Sequence, residues 1–342
     1  MSKKLLVIGS DSPHVIRFMN LINHFFTEIV YVGEQNVQSD IPVRQYAISV
    51  SSSNPFRINT NYKKLKQVIL DEKADVIHVH QVNRLAYATA RICRKNGLKY
   101  IVTAWGTDVL VMPNRNALYR HLVKYVLQNS FCATADSGEM IKAINKLVSG
   151  VQSALVFFGI QPIQQLEKEN IIYSNRSLYA LYNIKGVIDL FKEFYLTHQE
   201  WKLIIAGRGD EFESLKKRVQ DFDLTGAVEF VGWQAVEQNN AWYGKARIYI
   251  SIPVSDGTSV SLLEAMSAGC IPVVSDLPVS HEWITDNENG IITNFKDNPL
   301  ERALKLDEPA VAIKNSQIIK EKATAEIASD AFISLYRSMI VE

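Results

Sequence analysis

Short β-branched runs alternate with amphipathic stretches along the chain. KLLVI (4–8) is apolar at successive positions and reads as a strand buried on both faces, followed by helical spacing over VIRFMNLINHF. EIVYV (28–32), ADVIHVH (74–80), LKYIVTA (98–104), FCATA (131–135) and SALVFF (153–158) continue the series, with NYKKLKQVILDEK, LAYATARICRKNG and ALYRHLVKYVLQN as intervening helices. The pattern then restarts with IIYSN (171–175), KLIIAG (202–207), AVEFVG (227–232), ARIYIS (246–251) and CIPVVSD (270–276). Continuous apolar strands separated by helices predict parallel sheets covered on both faces. The fold class is therefore α/β, as two doubly wound, Rossmann-like domains facing a cleft. The polar segment QPIQQLEKEN (161–170) reads as the linker, which gives domains at 1–160 and 161–320. A last segment, 321–342, has helical spacing with no strand after it and is expected to pack back across the junction.

Composition narrows the class. A length of 342 residues suits two cores rather than one. Thirty-seven basic against 36 acidic residues give a net charge of +1, so no overall field argues for nucleic acid as a partner. The three cysteines, Cys93, Cys132 and Cys270, have no metal-ligand spacing, and their odd number points to a reducing compartment. The N-terminal apolar run is too short for a signal peptide and no stretch is long enough to span a bilayer, so a cytoplasmic location is expected.

Ligands of open parallel sheets bind outside the carboxyl ends of the strands. The loop after ARIYIS is SDGTSVSLLEAM, with Asp256 and Glu264 separated by seven residues. Gly257 allows close backbone approach, and Thr258, Ser259, Val260 and Ser261 open a helix whose free N–H groups would bind phosphate. Glu264, further along that helix, would accept hydrogen bonds from two vicinal ribose hydroxyls, and Asp256 would face the other side of the phosphates. Spacing alone equally allows a helix cap and a solvated glutamate.

The order of motifs decides between them. Arg176 in SNRSLYALYNIKG, AGRG (206–209), FVGW (230–233), DGTSVSLLEAMSAGCIPVVSDLP (256–278) and HEWITDNENG (281–290) together resemble glycosyltransferase family 4, retaining enzymes of GT-B fold. The match covers the second domain; in the first it rests on layout and on TAWGTDV (103–109). The resemblance implies a nucleotide-diphosphate sugar as donor substrate, UDP-linked by preference, and no bound metal or other cofactor. It places Glu264 on the ribose, the amides around Ser259–Ser261 on the diphosphate, and Asp256 on the transferred sugar. Arg176 would neutralise the departing diphosphate, assisted by Lys185; Val231, Gly232 and Trp233 would read the base through their backbone, and Gly207 and Gly209 belong to the same donor site. Two departures stand out: position 256 is usually Glu, and Lys185 lies nine residues after Arg176, more than the commonest spacing.

In the first domain Gly9, Ser10, Asp11 and His14 follow the first strand and would line the acceptor side, unless the turn is plain, with Ser12 or Asp11 as a cap. Relatives often carry a histidine near Trp105. Here the stretch is WGTD, so Trp105, Gly106 and Thr107 are placed on the acceptor side and Asp108 is a catalytic candidate. His78 and His80, on an apolar strand, read as core or cleft-wall residues.

Other signals carry less. IIAGRGDEFES breaks the dinucleotide fingerprint at Phe212, and DFD (221–223) reads as a solvated helix end rather than a metal site. Arg115, Arg120 and Lys124, with the charges of RICRKNGLK (91–99), form basic helices that would suit peripheral contact with anionic lipid or a plain solvated face. The expected activity is transfer of a sugar to a hydroxyl of a surface glycan or lipid-linked acceptor. A UDP-sugar epimerase of the same fold and a silent sugar-nucleotide-binding subunit are the alternatives.

Overall fold

A computed structural model describes residues 3–51, 54–295 and 298–341. The chain forms two compact units: Met1–Phe158 with Ala325–Glu342, and Gly159–Thr324.

In the first unit β1 (Lys4–Ile8), α1 (Pro13–Ile22), β2 (Glu28–Gly33), β3 (Arg44–Ala47), α2 (Pro55–Asp71), β4 (Val76–His80), α3 (Arg84–Asn96) and β5 (Ile101–Thr103) follow in order. Then come α4 (Thr107–Leu110), α5 (Met112–Arg115), α6 (Ala117–Gln128), β6 (Cys132–Ala135), α7 (Gly138–Leu147) and β7 (Ser153–Leu155). The strands form one parallel sheet in the order β3-β2-β1-β4-β5-β6-β7. The β3 strand has the sequence RQYA; its polar residues suit an edge and give no apolar run to read. Asn54 caps α2 by accepting from the Phe56 and Arg57 amides, and Pro55 follows at the first turn. The helix therefore starts ahead of the amphipathic stretch NYKKLKQVILDEK.

The second unit contains β8 (Glu169–Asn175), α8 (Ile184–Tyr195), β9 (Lys202–Ala206), α9 (Phe212–Asp221), β10 (Val228–Gly232), α10 (Val236–Lys245) and β11 (Ala246–Ser251). It continues with α11 (Val260–Ser267), β12 (Ile271–Ser275), β13 (Ile291–Thr293), α12 (Pro299–Ala303) and α13 (Glu308–Lys322). Its parallel sheet runs β10-β9-β8-β11-β12-β13. The segment read as a linker is tied to this unit: the Ile163 amide donates to Ser267 Oγ at 3.2 Å and the Leu166 amide to the Gly244 carbonyl. Because α13 runs to Lys322, the last helix, α14 (Ala325–Val341), begins four residues after the expected 321.

That helix returns to the first unit and packs on α1 and β4. Phe332 meets the Phe18 ring edge-on at 5.2 Å, and the Tyr336 hydroxyl lies 2.7 Å from His78 Nδ1. His78 and His80 are fully buried here, and their rings stack at 4.5 Å.

Both sheets reverse strand order at one place, between β1 and β4 and between β8 and β11. At such switch points the following loops splay apart and leave a crevice.

Candidate active site

Arg176 is the first residue after β8, and Asp256 lies on the loop after β11, the two strands flanking the second unit's switch point. Arg176 Nη2 donates to Asp256 Oδ2 at 2.6 Å. Its Nη1 donates to Ser261 Oγ at 3.1 Å and to Ser259 Oγ, and the guanidinium stands 4.4 Å over the Tyr182 ring. The buried Tyr249 hydroxyl donates to Ser261 Oγ at 2.8 Å and fixes that serine from below. The fork of the guanidinium is thus oriented from three sides at the start of α11.

The electrostatics follow from that packing. Burial opposes the charge on Arg176, but the Asp256 carboxylate and the surrounding Tyr249, Tyr182 and Tyr243 together outweigh it, and the guanidinium pKa is raised. Burial pushes the Asp256 carboxyl above its ordinary value, while Arg176 and the Gly257 amide pull it back. Glu264 occupies the second turn of α11 and is buried; its charge adds to burial in raising the Tyr243 phenol.

The remaining expected donor residues are spread around this core. Gly257 donates its amide to Asp256 Oδ1, whereas the Thr258 hydroxyl accepts from Trp283 Nε1 at 3.3 Å. Ser259 is the N-cap and Val260 the first residue of α11. Lys185 is exposed on the first turn of α8 and makes no ion pair among the described residues. The Val231 carbonyl accepts from the Gln234 side chain, Gly232 adopts φ +69°, and Trp233 is 63% exposed.

Gly207 and Gly209 pack against the loop that carries Arg176. A Cβ on either would lie 2.2 Å from a carbonyl oxygen, that of Arg176 or that of Leu178. The Arg176 amide donates to Ala206 and the Leu178 amide to Arg208, so AGRG shapes the loop that carries Arg176. These glycines are needed for contact with the chain itself.

At the first unit's switch point a cavity of about 340 Å³ is lined by Gly9 and Ser10 after β1, Gln81 and Asn83 after β4, and Thr107 and Asp108. Asp11 also lines it, and the cap of α1 is Ser12. The Asp108 carboxylate accepts from the Val82 amide at 2.7 Å and from the Trp105 amide at 3.0 Å, joining the two loops. Burial raises its pKa to about 6 in spite of those amides. Gly106, at φ +109°, makes the turn that brings the carboxylate back. Trp105 packs 5.5 Å from His14, and neither ring lines the cavity. Sequence reasoning missed Tyr182, Tyr249, Gln81 and Asn83; a polar-tipped Tyr249 inside the apolar strand ARIYIS was the one available signal.

Comparison with known proteins places this geometry. The family model "Glycosyl transferases group 1" matches residues 159–317, and "Glycosyl transferase 4-like" matches residues 3–137. N-acetyl-alpha-D-glucosaminyl L-malate synthase of Bacillus anthracis is 25% identical over 88% of this chain and 82% of its own length. Poly(glycerol-phosphate) alpha-glucosyltransferase of Bacillus subtilis is 26% identical over 76% of this chain but only 37% of that protein. Among solved structures, Anabaena Alr3699/HepE in complex with UDP and glucose superposes with a TM-score of 0.82 at 12% identity, over 98% of this chain and all of that one. Sucrose-phosphate synthase of Thermosynechococcus elongatus gives 0.79 at 13% identity, over 99% of each chain. Two parallel-sheet α/β units with these matches define a GT-B glycosyltransferase. The chain belongs to the family 4 type of these enzymes.

Proposed function

We propose that the protein is a retaining transferase that moves a hexose from a UDP-linked donor to a hydroxyl of a surface glycan or lipid-linked acceptor. The observation that carries this is the setting of Arg176, whose guanidinium is held beside Asp256, Ser259 and Ser261 at the start of a helix that also bears Glu264. A fixed bidentate cation beside the free amides of a helix start suits a diphosphate that gains charge as it leaves. Glu264 would take the ribose hydroxyls and Asp256 the transferred sugar, exchanging part of its contact with Arg176 for that ligand. The acceptor hydroxyl attacks on the face from which the diphosphate departs, and a β-phosphate oxygen takes its proton. Asp108, with its oxygens engaged by backbone amides, we assign to holding the acceptor loops in place rather than to proton transfer. Lys185 is assigned a supporting place near the phosphates.

Thermal stabilisation by UDP, GDP, ADP, dTDP and CMP, with NAD as control, tests the reading on the wild type and on Glu264→Ala. One diphosphate at about 100 times its Kd is expected to stabilise the wild type by ~2.7 kcal/mol and to lose most of that effect in the variant. A response to NAD alone, or to none of them, overturns the assignment. Arg176 and the α11 start supply positive charge without a resident metal or cofactor, so transfer is expected to survive EDTA. Activity abolished by EDTA and restored by a divalent ion would refute that part.

Peripheral membrane contact does not enter the proposal. Arg91 lies over the Tyr62 and Tyr87 rings and Arg94 over Tyr125, so these charges cover aromatic surface of their own unit. Among the described residues no helix is long and apolar enough to cross a membrane.

A further inference from the structure

The cavity at the end of β1 and β4 has the size of a small-molecule site, and its chemistry is specific. Gln81 follows buried β4 with φ +70°, a left-handed conformation that costs a non-glycine residue about 1 kcal/mol or more. Its amide oxygen accepts from Ser10 Oγ at 2.7 Å and from Asn83 Nδ2 at 3.2 Å. Asn83 cannot be turned the other way, because its Oδ1 caps α3 by accepting from the Ala86 amide at 3.0 Å. The cap therefore fixes Asn83, Asn83 fixes Gln81, and the Gln81 NH₂ group is left with no partner among the described residues.

The charged side chains around the cavity are Asp11, Glu34 and Asp108 against the single guanidinium of Arg84. A site with this excess of carboxylates disfavours an anion. Leu85, Met112 and Tyr119 add apolar wall, and Ser10 adds a hydroxyl that can accept as well as donate. We infer that the acceptor is a neutral, hydroxyl-bearing sugar held through the Gln81 amide, and that carboxylate and phosphate acceptors are excluded from this cavity. The inference rests on the glycosyltransferase reading and names the acceptor class for it. It separates this chain from its relative of similar length whose name specifies L-malate.

The test is saturation-transfer NMR on the intact protein with UDP present, using methyl glycosides of glucose, galactose, mannose and N-acetylglucosamine as probes. L-malate and sn-glycerol 3-phosphate are the anionic counterparts. At least one glycoside is expected to give a signal that weakens roughly tenfold in Gln81→Gly, the size of one lost substrate hydrogen bond, while both anions stay silent. Gln81→Gly is chosen because glycine adopts the same backbone conformation without strain, so its melting temperature and its response to UDP should be unchanged. A signal from either anion as strong as that from the glycosides overturns the inference. So does a glycoside signal indifferent to Gln81→Gly, or silence from every glycoside. If UDP stabilises the protein and the glycosides fail, the acceptor inference alone falls; if no nucleotide binds, the proposed function falls.

Discussion

Replacing Arg176 by alanine is expected to lower kcat by about 10²–10³-fold, the range seen when one preorganised group facing a developing charge is removed. Donor binding should suffer much less, since the charge on the diphosphate is greatest as it leaves and the helix-start amides remain. The packing of the side chain supports an effect on the transition state. Its guanidinium is oriented by Asp256, by two serines and by the Tyr182 ring, so little reorganisation is needed during reaction. Arg176→Lys keeps the charge and loses the fork, and should fall between wild type and alanine. Steady-state kinetics at saturating donor would decide the matter. A kcat within a few-fold of wild type for Arg176→Ala would remove the residue from the chemistry and leave it a structural partner of Asp256.

The other large effect is on stability against acid, and here a substitution should improve the protein. His80 is fully buried with no hydrogen-bond partner at either ring nitrogen among the described residues, and burial, with the nearby His14 charge, lowers its pKa to about 3. His78 is held neutral by the same burial and by His80. An unfolded histidine takes up a proton below about pH 6.5, whereas the folded one refuses it. The unfolded state therefore binds more protons, and stability falls as pH drops from about 6.5. Asp108 acts oppositely, because its folded pKa of about 6 exceeds the unfolded value, and it returns stability as pH falls through that window. Between pH 7 and 5 His80 would cost about 2 kcal/mol while Asp108 gives back about 1.3, and His78 acts in the same direction as His80, so the net effect is loss. His80→Phe removes one titrating group and two orphaned nitrogens, and its ring can pack against Phe18, which lies 4.2 Å from the present imidazole. Urea midpoints at pH 7 and pH 5 should show a shallower decline for the variant. Parallel declines would mean that His80 accepts its proton in the folded state.

Much of the fold was legible because parallel strands buried on both faces leave unbroken apolar runs. ARIYIS coincides with β11 residue for residue, and KLLVI with β1. The elements that escaped are those with no such run: polar β3, β13 with only three residues, and the first turns of α2, which depend on an Asn–Pro cap. At the site, Arg176, Asp256 and Glu264 were readable because motif order specifies them. The support for Arg176 was not, since Tyr249 and Tyr182 reach it only through tertiary approach. AGRG was read only as part of the donor site; that a Cβ at Gly207 or Gly209 would meet the backbone of the Arg176 loop shows only in the tertiary structure. Asp108 was a candidate from its loop position after a strand; its hold on the Val82 amide, 26 residues away in sequence, was not legible.

The return of α14 to the first unit has a consequence for biosynthesis. The second unit is encoded as one uninterrupted stretch, Gly159–Thr324, inserted within the first. A ribosome therefore releases all of the second unit's residues before it releases those that cover α1 and β4. Until Ala325–Val341 emerges, the Phe18 ring lacks its Phe332 cover and His78 lacks the Tyr336 hydroxyl. The first unit, though translated first, completes its core last, and a nascent chain stalled short of Tyr336 would leave the apolar surface of α1 and β4 uncovered.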